Sequence, residues 1–219
     1  MGLTLLAAME TAVRNDLKDV DPANYLWTTA EVDRHIQHAV NDYQRVLPLL
    51  ATTVITVVES GTPPLTWRQV LSPLPTGYLW TDRVEYPVDV EPPSYRLFRE
   101  EIPGGGSLLF STGDPPLAGD PLKVMYAMVH TLSLIASTIP QEHEELIALG
   151  AVSYAARSGT RYAIGRLNAS IWTPRGLAAF ATETMKNYQA WLERVREDYS
   201  ASGAPMVSWG NYPSDWWRV

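Results

Sequence analysis

The sequence predicts a mainly α fold, a bundle of about four helices with a small antiparallel β-sheet or hairpin region inserted between its two halves. Apolar residues recur with helical spacing near both ends of the chain, whereas the stretch from Pro48 to Pro121 loses that periodicity and holds 12 of the 17 prolines. A third stretch, Thr138–Arg157, is apolar almost all round and rich in small residues, so other helices must surround it. At 219 residues and 46% hydrophobic, the chain can bury a sizeable core.

Residues 1–50 are predicted to form a helical pair. The first helix spans Leu3–Val20 and ends at Asp21-Pro22, with one apolar face formed by Leu6, Met9, Val13, Leu17 and Val20. Thr28 and Glu31 have the spacing of a capping box, which predicts the start of the second helix. The apolar stripe of this second helix consists of Val32, Ile36, Ala39, Val40, Tyr43 and Leu47.

Residues 51–126 are predicted to form a proline-rich β insertion. Its short β-prone runs are separated by Gly and Pro turns and cover Thr52–Glu59, Tyr78–Tyr86, Tyr95–Glu101, Ser107–Ser111 and Leu122–Tyr126. The run RLFREEIPGGGSLLFS has the form of two strands joined by a flexible tip at Gly104, Gly105 and Gly106.

Residues 127–202 are predicted to complete the bundle. After an extended entry and a connector, Thr138 and Gln141 have capping-box spacing, and the helix that follows is expected to continue to about Leu167. Thr173-Pro174 marks a new helix start. The stripe of this last helix consists of Leu177, Phe180, Ala181, Thr184, Tyr188, Trp191, Val195 and Tyr199.

Residues 203–219 form a short tail with two prolines and unusually many aromatic side chains. Such side chains need a surface to pack on, either the chain's own bundle or another subunit, and the sequence leaves both possibilities open. The aromatic residues concerned are Trp209, Tyr212, Trp216 and Trp217.

Composition narrows the classes of function. A net charge of -7 argues against a protein that grips nucleic acid over a broad basic face. The absence of cysteine excludes disulfides and thiolate metal sites. Met1 to Met9 lacks the basic start of a signal peptide, and no run is long enough to span a membrane, so we expect no membrane association.

Few residues suggest chemistry. His35 and His38 lie three residues apart, with Glu31 one turn earlier, and this spacing is compatible with metal binding. No further strong ligand group elsewhere in the chain accompanies them, so a solvated polar face is the favoured interpretation. The segment Gln141–Glu145 lacks the HExxH spacing of zinc proteases, and its His143 is expected to cap the helix or to pack near the bundle. The triple glycine Gly104–Gly106 is not followed by the lysine of a P-loop. We therefore predict no catalytic, metal or cofactor site and no enzymatic activity.

A basic cluster lies in the second half of the chain. Its members recur at intervals that could line one side of a helix and meet phosphates or a neighbour's carboxylates, although surface solvation is the commoner explanation. They are Arg157, Arg161 and Arg166, with Arg175 further on.

The order of these parts resembles the head-to-tail connector proteins of tailed bacteriophages, also called adaptor or head-completion proteins. The resemblance is carried by Leu26-Trp27-Thr28 running into Glu31–Asn41, and by Thr138-Ile139-Pro140 running into Glu145–Arg157. Two features depart from the minimal members of the family, namely the longer β insertion and the aromatic tail after Gly203.

This resemblance implies a structural protein of the virion neck, made in the host cytoplasm. It implies a ring of twelve copies below the portal protein, which continues the channel for double-stranded DNA without binding it specifically and receives the next neck or tail protein. We expect the Gly104–Gly106 hairpin and the tail residues Trp209, Tyr212, Trp216 and Trp217 to dock partners. The alternatives are a stopper or tail-terminator ring, a small metal-dependent hydrolase using His35 and His38, and a nucleic-acid-binding regulator using the arginines.

Overall fold

The computed structural model describes residues 5–57, 68–70, 75–100, 107–110, 116, 118–162 and 173–201. The chain divides into two compact units, Met1–Leu49 with Val129–Glu197 and Leu50–Met128 with Asp198–Val219, called here the helical unit and the β unit. The described residues form four α-helices and seven strands, so the fold is mixed and the prediction of a mainly α protein is only loosely supported. Three strands of eight residues match predicted β-prone runs of the insertion with shifted ends, namely Leu49–Thr56, Tyr78–Glu85 and Pro121–Met128.

The first two helices are α1, Leu6–Leu17, and α2, Thr29–Val46. Lys18 adopts a left-handed conformation (φ 58°) and ends α1, so Val20 is exposed and does not extend the predicted apolar face. At the start of α2 the predicted capping box is confirmed, because the Thr28 hydroxyl accepts the N–H of Glu31 and the Glu31 carboxylate accepts the N–H of Thr28.

Helix α3 spans Glu144–Tyr162 and follows a 3₁₀ turn at Gln141–His143. The predicted Thr138 capping box is wrong, because the Thr138 hydroxyl accepts the N–H of Thr131 at 2.9 Å and ties a preceding turn instead of the helix. The predicted continuation through Gly159 is confirmed as far as Tyr162. Residues 163–172 lie outside the described residues.

Helix α4 spans Pro174–Ala201 and begins as predicted. The Thr173 hydroxyl accepts the N–H of Gly176 at 3.1 Å, and Pro174 occupies the first helical position, where its missing N–H costs nothing. Members of the predicted stripe are buried in the core of the helical unit, among them Leu177, Ala181 and Tyr188. In the described part of the chain, no helix is both long and apolar enough to cross a membrane.

Helix α3 packs closely against its neighbours because small residues line it. A Cβ atom added at Gly150 would lie 2.6 Å from Cε2 of Tyr188 and 2.8 Å from Cβ of Ala39. These distances leave no room for even a methyl group. The surrounding core, drawn from all four helices, includes Met9, Val13, Leu17, Trp27, Ile36, Val40, Leu146, Ile147, Ala151, Ala155 and Val195.

The β unit contains two sheets where the sequence predicted one. The strands are β1 (Leu49–Thr56), β2 (Arg68–Val70), β3 (Tyr78–Glu85), β4 (Tyr95–Arg96), β5 (Phe98–Glu100), β6 (Ser107–Phe110) and β7 (Pro121–Met128). One sheet has the order β1-β7-β3-β4 and the other the order β2-β6-β5. The predicted pairing across the glycine-rich loop is confirmed, since β5 and β6 run antiparallel with Phe98 opposite Phe110. Strand β2 was not predicted.

Both sheets contribute to one small core. Val84 and Val124 of the four-stranded sheet share a buried cluster with Leu108 and Phe110 of the three-stranded sheet. The Glu100 carboxylate of β5 also accepts the N–H of Thr81 at 2.9 Å and the hydroxyl of Tyr78, both on β3. The β unit therefore holds its own core and its own polar link between sheets.

Candidate functional site

The residues predicted to dock partners lie outside the described residues. They are the hairpin tip at Gly104, Gly105 and Gly106, and the tail residues Trp209, Tyr212, Trp216 and Trp217. Their docking role therefore stays a prediction. The described surfaces belong to the helical unit and to the strands of the β unit.

The proposed metal ligands do not form a ligand set. The Glu31 carboxylate is held by the N–H of Thr28 at 2.8 Å and by its hydroxyl at 2.9 Å, and these bonds lower the pKa of Glu31. His38 is exposed, whereas His35 is only 4% exposed. Among the described residues, no group of three His, Cys, Asp or Glu side chains is arranged to hold a metal ion.

His35 is a structural residue of the bundle core, which corrects the interpretation of this segment as a solvated face. Its Nε2 atom lies 3.1 Å from the hydroxyl of Ser158, so the pair links α2 to α3. Burial, with a smaller contribution from the charge of Arg34, lowers the pKa of His35 to about 4. The imidazole is thus neutral at neutral pH.

Two further histidines hold the chain segments that lead into α3. The Nε2 atom of His130 bonds to the carbonyl oxygen of Leu47 at 2.9 Å, and its Nδ1 atom lies 3.2 Å from the hydroxyl of Thr138. The Tyr43 hydroxyl lies 2.7 Å from Nδ1 of His143, with the Tyr43 ring packed against both imidazoles. His143 therefore packs against the bundle, one of the two roles predicted for it, and burial lowers the pKa of His130.

The predicted arginine cluster is only partly described. Arg157 is exposed on α3 and Arg175 is exposed at the start of α4, while the side chains of Arg161 and Arg166 lie outside the described residues. Arg157 lines an open groove of about 490 Å³ between α3 and α4, here called the α3–α4 groove. The groove is also lined by Ala178, Ala181, Met185 and Lys186.

A tight turn of the helical unit, just before the 3₁₀ turn that leads into α3, presents aliphatic side chains to solvent. This segment, Thr131–Thr138, is called the aliphatic turn, and at its tip Leu134 is 63% exposed and Ile135 is 91% exposed. The backbone beneath them is held firmly, because the Ser133 hydroxyl accepts the N–H of Ala136 at 3.0 Å and donates to its carbonyl oxygen. Turns normally carry Gly, Pro, Asn or Asp at such positions.

The base of the aliphatic turn is also fixed. Leu132 and Ser137 form a β-bridge, and the N–H of Thr138 bonds to the carbonyl oxygen of Thr131 at 2.9 Å. The carbonyl oxygen of Ser133 accepts the N–H of Leu6 at 3.0 Å, which connects the turn to the start of α1. Sequence reasoning had treated this segment only as a connector, although two adjacent bulky aliphatic residues in an uncharged run were a usable signal.

Strand β1 presents a second exposed row, in which Leu50 and Val54 alternate with Thr52 and Thr56. Its residues alternate between half-buried and exposed, with Leu50 43% and Val54 58% exposed. Within the part of the chain that the structure describes, β1 pairs only with β7 and so lies at the edge of its sheet. The strand contains no charged residue or internal proline, which are common devices for keeping an edge from pairing.

No protein-family model and no curated protein sequence matches this chain. Solved structures that align with it come from gene transfer agent (GTA) particles. The neck of the empty particle, computed with C6 symmetry, aligns over 80% of this chain and 87% of its own at 14% identity and a TM-score of 0.28. The neck of the native particle, computed with C12 symmetry, aligns over 84% and 94% at 14% identity and a TM-score of 0.24.

A third alignment is to the virion of the native gene transfer agent particle. It covers 84% of this chain and 93% of the other at 14% identity, with a TM-score of 0.27.

Proposed function

We propose that this chain is a structural protein of a phage-type virion neck and acts there as a head-to-tail adaptor. In this role it forms a ring under the portal, extends the DNA channel and docks the tail or the next connector protein. One observation carries the proposal: the two segments that bear the sequence resemblance form α2 and α3, which pack against each other in one core, while the residues between them in the chain build a separate β unit.

The construction of the helical unit suits a scaffold. Close packing at Gly150 and buried polar links such as His35 with Ser158 fix the helices relative to one another. The Trp27 indole N–H also donates to the carbonyl oxygen of Ala155 at 3.1 Å, which fixes the start of α2 on α3. A rigid unit presents its surface groups without a large ordering cost, and this favours tight assembly.

Exposed aliphatic side chains on ordered backbone support an assembly role. Leu134 and Ile135 stand on the hydrogen-bonded turn, and Leu50 and Val54 stand on strand β1. We infer that these exposed aliphatic side chains become covered by another protein on assembly.

The charge of the chain supports passage of DNA without retention. A net charge of -7 repels phosphate. The 17 lysine and arginine side chains, which could make the phosphate contacts of nonspecific binding, are outnumbered by 24 carboxylates. The twelve-fold ring, the portal and the downstream neck protein come from the sequence resemblance. The Gly104–Gly106 hairpin is proposed to reach a neighbouring ring, and the tail, residues 203–219, to clasp the portal or an adjacent subunit.

Co-purification with the portal protein of the same particle tests this function. We expect the full chain to sediment with portal rings at a constant ratio, and a chain lacking residues 203–219 to lose this association while melting at the same temperature as the full chain. Leu97→Ser provides the control, because Leu97 is exposed in the β unit and the change leaves both the hairpin and the tail intact. Attachment that survives the tail deletion would remove the tail's role, and no association of the full chain would overturn the adaptor function.

A further inference from the structure

We propose that the aliphatic turn of one copy of this chain inserts into the α3–α4 groove of the next copy, so that these two surfaces form the lateral contact between subunits. The inference rests on the proposed function, because it assigns the subunit contact of the proposed ring. Both surfaces belong to the helical unit and both consist of described residues.

The aliphatic turn has the properties of an anchor. Ile135 and Leu134 expose most of their side-chain surface, and the Ser133 hydroxyl holds the backbone N–H groups of Ile135 and Ala136 at 3.3 and 3.0 Å. Burial of such a side chain against a partner favours association, because it removes apolar surface from water. Because the turn is already ordered, little of that gain is lost to conformational entropy on binding.

The α3–α4 groove offers a partly apolar recess. It is open, with a volume of about 490 Å³, and three of its lining residues are Ala178, Ala181 and Met185, while the other five are polar or charged. Methionine adapts readily to the shape of an inserted group. The apolar part of this lining can receive an aliphatic side chain, with the polar residues left to face polar groups of the partner.

The charges beside the two surfaces are also complementary. Glu142 of the 3₁₀ turn and Glu145 of the first turn of α3 are exposed, and both follow the aliphatic turn within a few residues. Arg157 and Lys186, both exposed, line the groove. Opposite charges at the margin of an interface favour the correct partner and orientation, and the contact is weakened by salt.

The positions of the two surfaces require a second copy. The aliphatic turn leads into the N-terminal end of α3, whereas Arg157 lies near the C-terminal end of the same helix, roughly 20 Å away at a rise of 1.5 Å per residue. A turn this short cannot reach the groove of its own chain. Contact between different patches of identical subunits is heterologous, and this type of contact closes into a ring when its rotation allows.

Cross-linking tests the contact directly, since the natural chain contains no cysteine. The double variant Ile135→Cys with Ala178→Cys, treated with a short thiol cross-linker at high protein concentration and again with portal present, should give a ladder of covalent oligomers. Leu97→Cys with Ala178→Cys is the matched control, because Leu97 is an aliphatic residue of the β unit that is 70% exposed. Absence of the ladder, or equal cross-linking by Ile135→Cys alone, would overturn the inference.

Charge reversal provides a second test that misfolding cannot imitate. Glu145→Lys and Lys186→Glu should each raise the dissociation constant between copies, and the double variant should restore association. Ile135→Asp should raise the dissociation constant by about tenfold or more, as expected from loss of 1.4 kcal/mol, without lowering the melting temperature. Failure of rescue together with unchanged association of Ile135→Asp would contradict the contact.

The outcomes separate this contact from the proposed function. Rings that form on the portal without any effect of these variants would leave the adaptor function standing and overturn the contact. Specific cross-linking in a chain that ignores the portal would support the contact and overturn the adaptor function. Cross-linking of Ile135→Cys to the portal instead of to a second copy would reassign the aliphatic turn to a different partner.

Discussion

The two units of this chain are stabilised in different ways. In the helical unit, the buried side chains of Arg14, Asp19 and His130 bind main-chain groups of other segments, and His35 bonds to the side chain of Ser158. The β unit relies on strand ladders around a smaller core, with Glu100 linking its sheets. All four histidines of the chain lie in the helical unit. Removing one buried polar partner, or protonating a buried histidine, should therefore lower the stability of the helical unit before that of the β unit.

The largest effect is expected at the ion pair between Arg14 and Asp19. Their side chains are 8% and 5% exposed and lie 2.9 Å apart, and Asp19 also accepts the N–H of Leu26 at 2.7 Å. Asp19→Ala leaves a buried guanidinium without its counter-ion. We expect a loss of about 3–5 kcal/mol in the free energy of unfolding, measured by urea denaturation.

The exposed ion pair between Arg196 and Glu193 is the control for this prediction. Those side chains are 54% and 59% exposed, so Arg196→Gln should change the free energy of unfolding by less than about 0.5 kcal/mol. Equal effects of Asp19→Ala and Arg196→Gln would show that burial of the first pair does not stabilise the helical unit.

The next largest effect is acid sensitivity confined to the helical unit. The pKa of His35 is about 4 in the folded chain and 6.5 when unfolded, so the unfolded state binds the proton more readily between these values. The free energy of unfolding should therefore fall as the pH is lowered from 6.5 to 4, by roughly 1–3 kcal/mol. Hydrogen exchange, corrected for its intrinsic pH dependence, should show reduced protection in peptides of α2 and α3 but not in those of β3 and β7.

A variant at His35 tests whether protonation of this histidine causes the acid sensitivity of the helical unit. His35→Gln should flatten the pH dependence in that window, whereas His38→Gln, on the exposed side of the same helix, should preserve most of it, because burial contributes more than the charge of His38 to the lowered pKa of His35. In the β unit, hydrogen bonding to Lys123 lowers the pKa of Glu85, so its contribution is lost as the pH falls from the ordinary value of 4.5 through the lowered pKa, at the acidic end of the His35 window and beyond. Equal acid sensitivity of both units would contradict this comparison.

Two glycines give the smallest effect and the sharpest contrast in mechanism. At Gly150 an added Cβ would lie 2.6 Å from the Tyr188 ring, whereas at Gly119 it would meet nothing within 4 Å but would require φ of +92°. Each alanine variant should lose about 1–2 kcal/mol, from overpacking in α3 and from backbone strain in the β unit. Calorimetry should show that Tyr188→Ala reduces the cost at Gly150, and that Gly119→Asn costs less than Gly119→Ala. If Tyr188→Ala does not reduce the cost at Gly150, or Gly119→Asn costs as much as Gly119→Ala, then overpacking and backbone strain are not the causes at these two positions.

The helices were predictable because local signals decide them. The capping box at Thr28, the Thr173-Pro174 start and the 3.6-residue apolar stripes all act within one or two turns of chain. The signal at Thr138 failed because its hydroxyl bonds to Thr131 and approaches His130, partners that the turn brings close. The division into two sheets depends on long-range pairing, such as Arg68 opposite Leu109, which local propensity does not encode.

The candidate contact surfaces were less predictable than the fold. A groove formed by Arg157 of α3 and Lys186 of α4 exists only once the two helices pack, and nothing in either segment alone indicates it. The exposure of Ile135 depends on the hydrogen bonds of Ser133, which turn an apolar run away from the core. Buried His35 was misjudged because its partner Ser158 lies far along the chain.

Electron microscopy of the full chain bound to its portal tests the central claim most directly. The adaptor function predicts averaged images with a closed ring of added density, coaxial with the portal and open along its axis. Portal particles without added density, or with density at isolated positions off the axis, would contradict it.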